Sequence, residues 1–259
     1  MTELPGSLVS VSFSFSIGED KVDATAEVPA GATNLTRILP VIQSLDDSII
    51  EGVAASHAEE GMKVSCGPGC GICCRQLVPV SIFEAEALTE WFRELPKDRQ
   101  EQLANRFHQS LIQLSASGLL GRVLNEDWLA ESESAKQLSL DYFHLGIPCP
   151  FLEDESCSIH PIRPLICREF LVSSPPEHCA DPAALQIVPI HLPLHLSRIL
   201  IRMGAEIEKG PRRWIPMLFL LAWMKGGAHP GEFVAGSGPR VLYEFLKWLP
   251  EAGSKPKDC

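Results

Sequence analysis

Eight of the nine cysteines fall between residues 66 and 179, a window of 114 residues, and only Cys259 lies among the other 145. The first group reads Cys66-Gly67-Pro68-Gly69-Cys70-Gly71-Ile72-Cys73-Cys74. The second opens with Cys149-Pro150-Phe151-Leu152 and Cys157-Ser158-Ile159-His160, then gives Cys167 and Cys179. A tetrahedral thiolate site needs sulfurs about 3.5–4 Å apart, with bonds near 2.3 Å for zinc. Short spacers reach that only where the backbone curls tightly; Gly67, Gly69 and Gly71 can take positive φ, and Pro68 stiffens the turn. Such loops also aim N–H groups inward, toward the sulfurs. Several thiolates carry net negative charge, which Arg75, Arg163 and Arg168 stand close enough in sequence to offset, the last two reading as cofactor-binding residues. The predicted metal ligands are Cys66, Cys70, Cys73, Cys74, Cys149, Cys157, Cys167 and Cys179.

Unligated buried thiols are the bland alternative, because free cysteine packs well, but the clustering argues against it. Disulfides need an oxidising compartment. The start, Met1-Thr2-Glu3-Leu4-Pro5, shows no secretory signal, and the most apolar run, Trp214 to Met224, is too short to span a bilayer. The chain therefore reads as soluble and cytoplasmic, with no membrane partner. A formal net charge of -11 disfavours nucleic acid. An unspecified protein or small molecule is the expected partner. Cys73 and Cys74 are adjacent, and neighbouring side chains diverge in extended backbone. Cys73 is thus expected with Cys66 and Cys70, leaving Cys74 for a second centre or a redox thiol.

These residues resemble the YkgJ-like cysteine-cluster family of zinc- or iron-chelating domains. Its pattern is a cysteine-rich run ending in Cys-Cys, then Cys-Pro-Phe-Leu, then Cys-x-Ile-Tyr-x-x-Arg-Pro-x-x-Cys-Arg and a later cysteine. It maps onto Cys66, Cys70, Cys73 and Cys74; Cys149 to Leu152; Cys157, Arg163, Pro164, Cys167 and Arg168; and Cys179. The resemblance covers roughly residues 60–185 and implies metal or iron–sulfur binding, with kinship to flagellin lysine N-methylases. The first spacer is one residue longer than usual in the family, and His160 stands where tyrosine is usual. His160 reads as a solvated loop histidine rather than a ligand.

The cofactor expected is a [4Fe–4S]-type iron–sulfur cluster, with zinc the alternative, since zinc knuckles usually pair two Cys-x2-Cys hooks and no such pair is present. Redox or S-adenosylmethionine-dependent methyl-transfer chemistry would follow; a structural zinc module binding a partner is the competing reading. Cys66-x3-Cys70-x2-Cys73 is also the spacing of radical-SAM enzymes, but the strand–helix alternation of their barrel is absent here. Whether the chain is an enzyme is open.

The fold class expected is mainly α with a small N-terminal β-hairpin and long cysteine-rich loops around a metal centre. Residues 9–17 alternate strictly, with Val9, Val11, Phe13, Phe15 and Ile17 on one face and serines on the other; Val22 to Val28 continue the period after a turn at Gly18-Glu19-Asp20. Val41, Leu45, Ile49 and Val53 recur every four residues before Gly61. Ser81 with Glu84 reads as a capping box opening a helix that Pro96 stops; Leu103, Phe107, Leu111 and Leu114 mark another ending near Gly118. Residues 145–182 read as loop, with further helices at about 193–208, 213–225 and 239–249. The parts are residues 1–32, a hairpin extension; 33–185, the cysteine domain; and 186–259, helical and continuous with it. His191 and His195 straddle Pro193 and read as a helix start; Trp214, Phe219 and Trp223 read as core; Glu153-Asp154-Glu155 reads as a solvated turn.

Overall fold

A computed structural model describes residues 7–17, 20–125, 132–182, 185–208, 214–226 and 234–249. The period-two segments form antiparallel strands β1 (Leu8–Ile17) and β2 (Asp20–Pro29), with Val11 opposite Ala26 and Phe15 opposite Val22. Turn residues Gly18 and Glu19 lie outside the described residues, as does Cys259. Phe15 and Val28 are buried, while Val11, Phe13 and Ile17 pack against the main core. On the other face Ser12 meets Thr25 and Ser14 donates to Asp23. An isolated hairpin is marginal in water, and this one rests on the helices.

Helix α1 (Leu35–Glu59) starts where the Asn34 side chain accepts the Arg37 N–H. Its buried stripe is Leu35, Ile38, Leu39, Ile42, Asp46 and Ile49, rotated from the expected Val41–Leu45–Ile49–Val53 row. Only Ile49 is common to both, and the stripe carries a carboxylate. Helix α2 (Ile82–Glu94) opens with the full Ser81–Glu84 capping box and ends at Leu95, as the sequence predicts. Helix α3 (Lys97–Ala116) follows at once, burying Leu103, Phe107 and Leu114 and ending before Gly118 at φ 77°. Helices α4 (Leu120–Leu124) and α5 (Ser132–His144) lie where the sequence reading placed no element. In them Val123, Leu138 and Tyr142 are buried with Leu114 and Ile147 in a small second core.

The expected helix at 193–208 is α7 (Leu196–Glu208) and that at 239–249 is α9 (Gly238–Leu246). The one expected at 213–225 is shorter: a strand pair and a 3-10 turn precede α8 (Leu220–Met224). Short strands β3 (Ala32–Asn34) and β8 (Ala235–Ser237) pair, as do β4 (Pro79–Val80) and β7 (Ile215–Pro216). One apolar core therefore runs from Phe15 to Leu249, with helices dominating and the cysteines in the middle of the chain. No helix among the described residues is long and apolar enough to cross a membrane.

Candidate metal centre

The eight thiols lie on loops, turns and one short helix between α1 and α7. Cys66 and Cys70 lie on the loop after α1, where Cys70 donates its N–H to Gly67 O and Gly69 sits at φ 84°. Cys73 and Cys74 occupy a 3-10 turn, Ile72–Arg75. Of the three glycines in this run, Gly69 alone takes positive φ. Gly71 is needed for a different reason: a Cβ there would stand 2.6 Å from Glu155 Oε2 and 2.8 Å from Leu152 Cδ1. Cys149 precedes strand β5 (Leu152–Glu153), which pairs with β6 (Ser156–Cys157). Cys167 lies on the short helix α6 (Leu165–Glu169) and Cys179 on a 3-10 turn, Pro176–Ala180. Residues 145–182, expected as loop with at most one short turn, thus hold a hairpin, a short helix and several turns.

Backbone hydrogen bonds stitch the segments together. Cys149 donates its N–H to Cys74 O at 2.7 Å, and Ser65 donates to Val172 O at 2.8 Å. Glu153 pairs with Arg99 and Arg106, and Arg75 reaches Glu155 at 2.6 Å. The acidic turn is therefore a turn, as expected, but a pinned one; Asp154 and Glu155 sit at φ 48° and 56°.

Backbone N–H groups donate to several sulfurs: Phe151 to Cys149, Ile159 to Cys157, Val172 to Cys66, and Cys73 to its own. Each such bond favours the thiolate, the form a metal binds. Against them, burial raises the Cys66, Cys157, Cys167 and Cys179 thiols and pushes Cys149 up to about 12. Cys73 is raised by a side-chain hydrogen bond with Cys74, then by burial. The expectation that these two diverge assumed extended backbone; the 3-10 turn brings them together instead.

The thiols share one electrostatic neighbourhood with two halves. Cys179 feels Cys66, Cys70 and Cys73, whereas Cys167 feels Cys149, Cys73 and Cys157, so Cys73 belongs to both. None of the eight is in a disulfide. Among the described residues, no group of three His, Cys, Asp or Glu side chains closes to where it could hold a metal ion. Gathering sulfurs that repel as thiolates and resist ionisation when buried is work that metal binding itself does.

The arginines divide. Arg168, 5% exposed, grips Asp47 through both carboxylate oxygens and donates to Pro161 O and Arg163 O. Arg75 is held by Glu155 and Gly71 O. The Arg163 charge acts on Cys66, Cys73 and Cys157, and its buried Nε–H has no partner. A buried cationic donor left over beside thiols suits an anionic metal–sulfur group. The soft donor set suits zinc or iron.

His160 is exposed, in keeping with a solvated loop. His191 is exposed too, while His195 Nδ1 meets Glu169 at 2.9 Å, just before α7. Trp214, Phe219 and Trp223 are partly buried against the cores. Sequence reasoning passed over a buried acid group behind α6. Glu169 accepts from Ser197 N–H and Ser197 Oγ, and Asp46, fully buried, has no hydrogen-bond partner on either oxygen. Burial first, then the charges of Glu169 and Asp47, raise Asp46 to about 8. Only its place on the buried stripe of α1 could have flagged it.

The helical scaffold thus carries eight clustered thiols on turned loops, the soft donor set of a cysteine-rich chelating domain. Residues 65–184 match the CxxCxxCC family model, described as "Putative zinc- or iron-chelating domain", which is the cysteine-cluster family the sequence resembles. The match leaves out the hairpin, α1 and everything from α7 onward. Comparison with curated proteins finds no match, and comparison with solved structures finds none.

Proposed function

We propose that the chain carries a [4Fe–4S]-type cluster on its central cysteines and uses it in redox or S-adenosylmethionine-dependent methyl-transfer chemistry. The observation that carries the reading is the mutual electrostatic influence of cysteines far apart in sequence, Cys66, Cys70 and Cys73 on Cys179 and Cys149, Cys73 and Cys157 on Cys167, with N–H donors from Phe151, Ile159 and Val172 on three of the sulfurs. Hydrogen bonds to sulfur are a principal means by which a protein sets an iron–sulfur cluster's potential. The lack of paired Cys-x2-Cys hooks adds to the case for iron, and the resemblance to flagellin lysine N-methylases to that for methyl-transfer chemistry. The family description admits zinc equally, so a structural zinc module without catalysis is the second reading.

Anaerobic purification with iron, sulfide and zinc counted per chain is the test. A brown protein absorbing near ~400 nm, with iron and sulfide in matching amounts, is the expected result. Zinc at full complement with neither iron nor sulfide would overturn the cluster and leave the zinc module.

A further inference from the structure

Three arginines flank the cysteines in sequence, and the fold gives each a different neighbourhood. Arg75 and Arg168 have carboxylates, Glu155 and Asp47, and carbonyl oxygens besides. Arg163 has no carboxylate partner among the described residues, and its Nε–H is buried and unbonded. An unmet buried donor is costly, more so on a charged group, so a folded chain keeps one where something else completes it.

The backbone at this residue is tightly held. Arg163 O accepts from Arg168 Nε at 3.1 Å and from Gln43 Nε2 at 3.4 Å, and Pro164 restricts the residue before it to extended geometry, seen as ψ 148°. Arg168 is anchored in turn by Asp47 on α1. The main helix thereby fixes where the Arg163 side chain departs. The thiols its charge acts on, Cys66, Cys73 and Cys157, come from both cysteine groups and include the one shared by both halves of the cluster.

We propose that Arg163 is a positioning residue for the metal centre, its Nε–H donating to a sulfur of the bound group and its charge holding the surrounding thiolates together. This rests on the reading of the cysteines as a metal centre and goes further by naming the residue that balances and retains it. A guanidinium suits the task because it stays charged and its donors are fixed in a plane, whereas lysine supplies charge without that geometry. Arg168 and Arg75 serve the frame instead.

The test uses the full chain loaded with its metal, in four forms: unchanged, Arg163→Gln, Arg163→Lys and Arg75→Gln. Two properties are read, the rate of metal loss to excess chelator and the position of the sulfur-to-metal charge-transfer band, on iron or on cobalt(II) put in its place. Arg163→Gln is expected to lose metal about 10–100-fold faster, in the range typical of outer-sphere partners. Its band should move to longer wavelength, because a sulfur lone pair without its donor lies higher in energy. Arg163→Lys should recover part of the retention, and Arg75→Gln should stay within about twofold of the unchanged chain. Wild-type release and an unshifted band in Arg163→Gln would overturn the proposal while the metal centre stands. Faster release matched by an equal fall in the metal-free protein's melting temperature, with the band unmoved, would also overturn it, by showing a merely structural role. A wild-type chain that binds no metal would sink the metal-centre reading and this proposal with it.

Discussion

The helical core and the cysteine loops are ordered by different forces. In the core, Leu35, Ile38, Phe83, Leu103 and Phe107 are at most 2% exposed, and apolar burial does the work. In the loops, the residues between Cys66 and Cys74 bury almost nothing apolar; their order comes from backbone hydrogen bonds such as Cys149 N–H to Cys74 O, from ion pairs at Glu153 and Glu155, and from thiol contacts. Phe151 joins the two regions. It lies between Cys149 and Cys157, is 1% exposed, and meets Trp91 and Phe107 edge-on at 6.0 and 5.4 Å. Core order thus rests on apolar burial, and loop order on polar contacts.

The sharpest attempt to break the contrast is Cys73→Ser, which removes the thiol common to both halves. Metal affinity should fall by more than the roughly 10–100-fold of an outer-sphere change, while far-ultraviolet dichroism keeps the helical signal. Metal counting and dichroism on one sample check both halves of that statement; helix loss alongside metal would dissolve the distinction. Next comes Phe151→Ala, expected to cost about 3–5 kcal/mol in denaturant unfolding and to lower metal content too. Leu103→Ala should cost about 2–5 kcal/mol and leave metal content near wild type, so the pair separates bridge from core.

A smaller effect belongs to Asp46. Its folded pKa, about 8, lies above the ordinary carboxyl value, so the folded state holds the proton more tightly than the unfolded chain. The stabilisation is complete in acid and is lost as pH rises through the folded pKa. Melting temperature should therefore fall between pH 5 and 8, and Asp46→Asn should flatten that slope; parallel profiles would remove the carboxyl from the account. Least of all, Asp154→Gly relieves a positive φ at the exposed hairpin turn and should stabilise by about 1 kcal/mol or less, without touching metal release. Chemical denaturation resolves a change of that size.

The two regions also differ in how openly the sequence displays them. The hairpin, the Ser81–Glu84 box and α3 are local patterns, and each is found where its periodicity and caps put it. The cysteine cluster and its family resemblance are equally plain, being a matter of residue type and spacing. What stays hidden is non-local. Asp46 lies on a face of α1 that meets α6, and the different partners of Arg75, Arg163 and Arg168 depend on Glu155 and Asp47 arriving from elsewhere. The α5 helix escaped because its one fully apolar contact row, Leu138 and Tyr142, is too short to show a period.

The pairing of β3 with β8 sets a schedule for biosynthesis. Ala32–Asn34 must wait for Ala235–Ser237 to emerge before their short sheet can form, and α9 closes the core later still. By then all eight clustered thiols have already left the ribosome. They sit on a chain whose hydrophobic centre is unfinished, and any ligand that closed the loops before the last helix docks would shelter them during that interval.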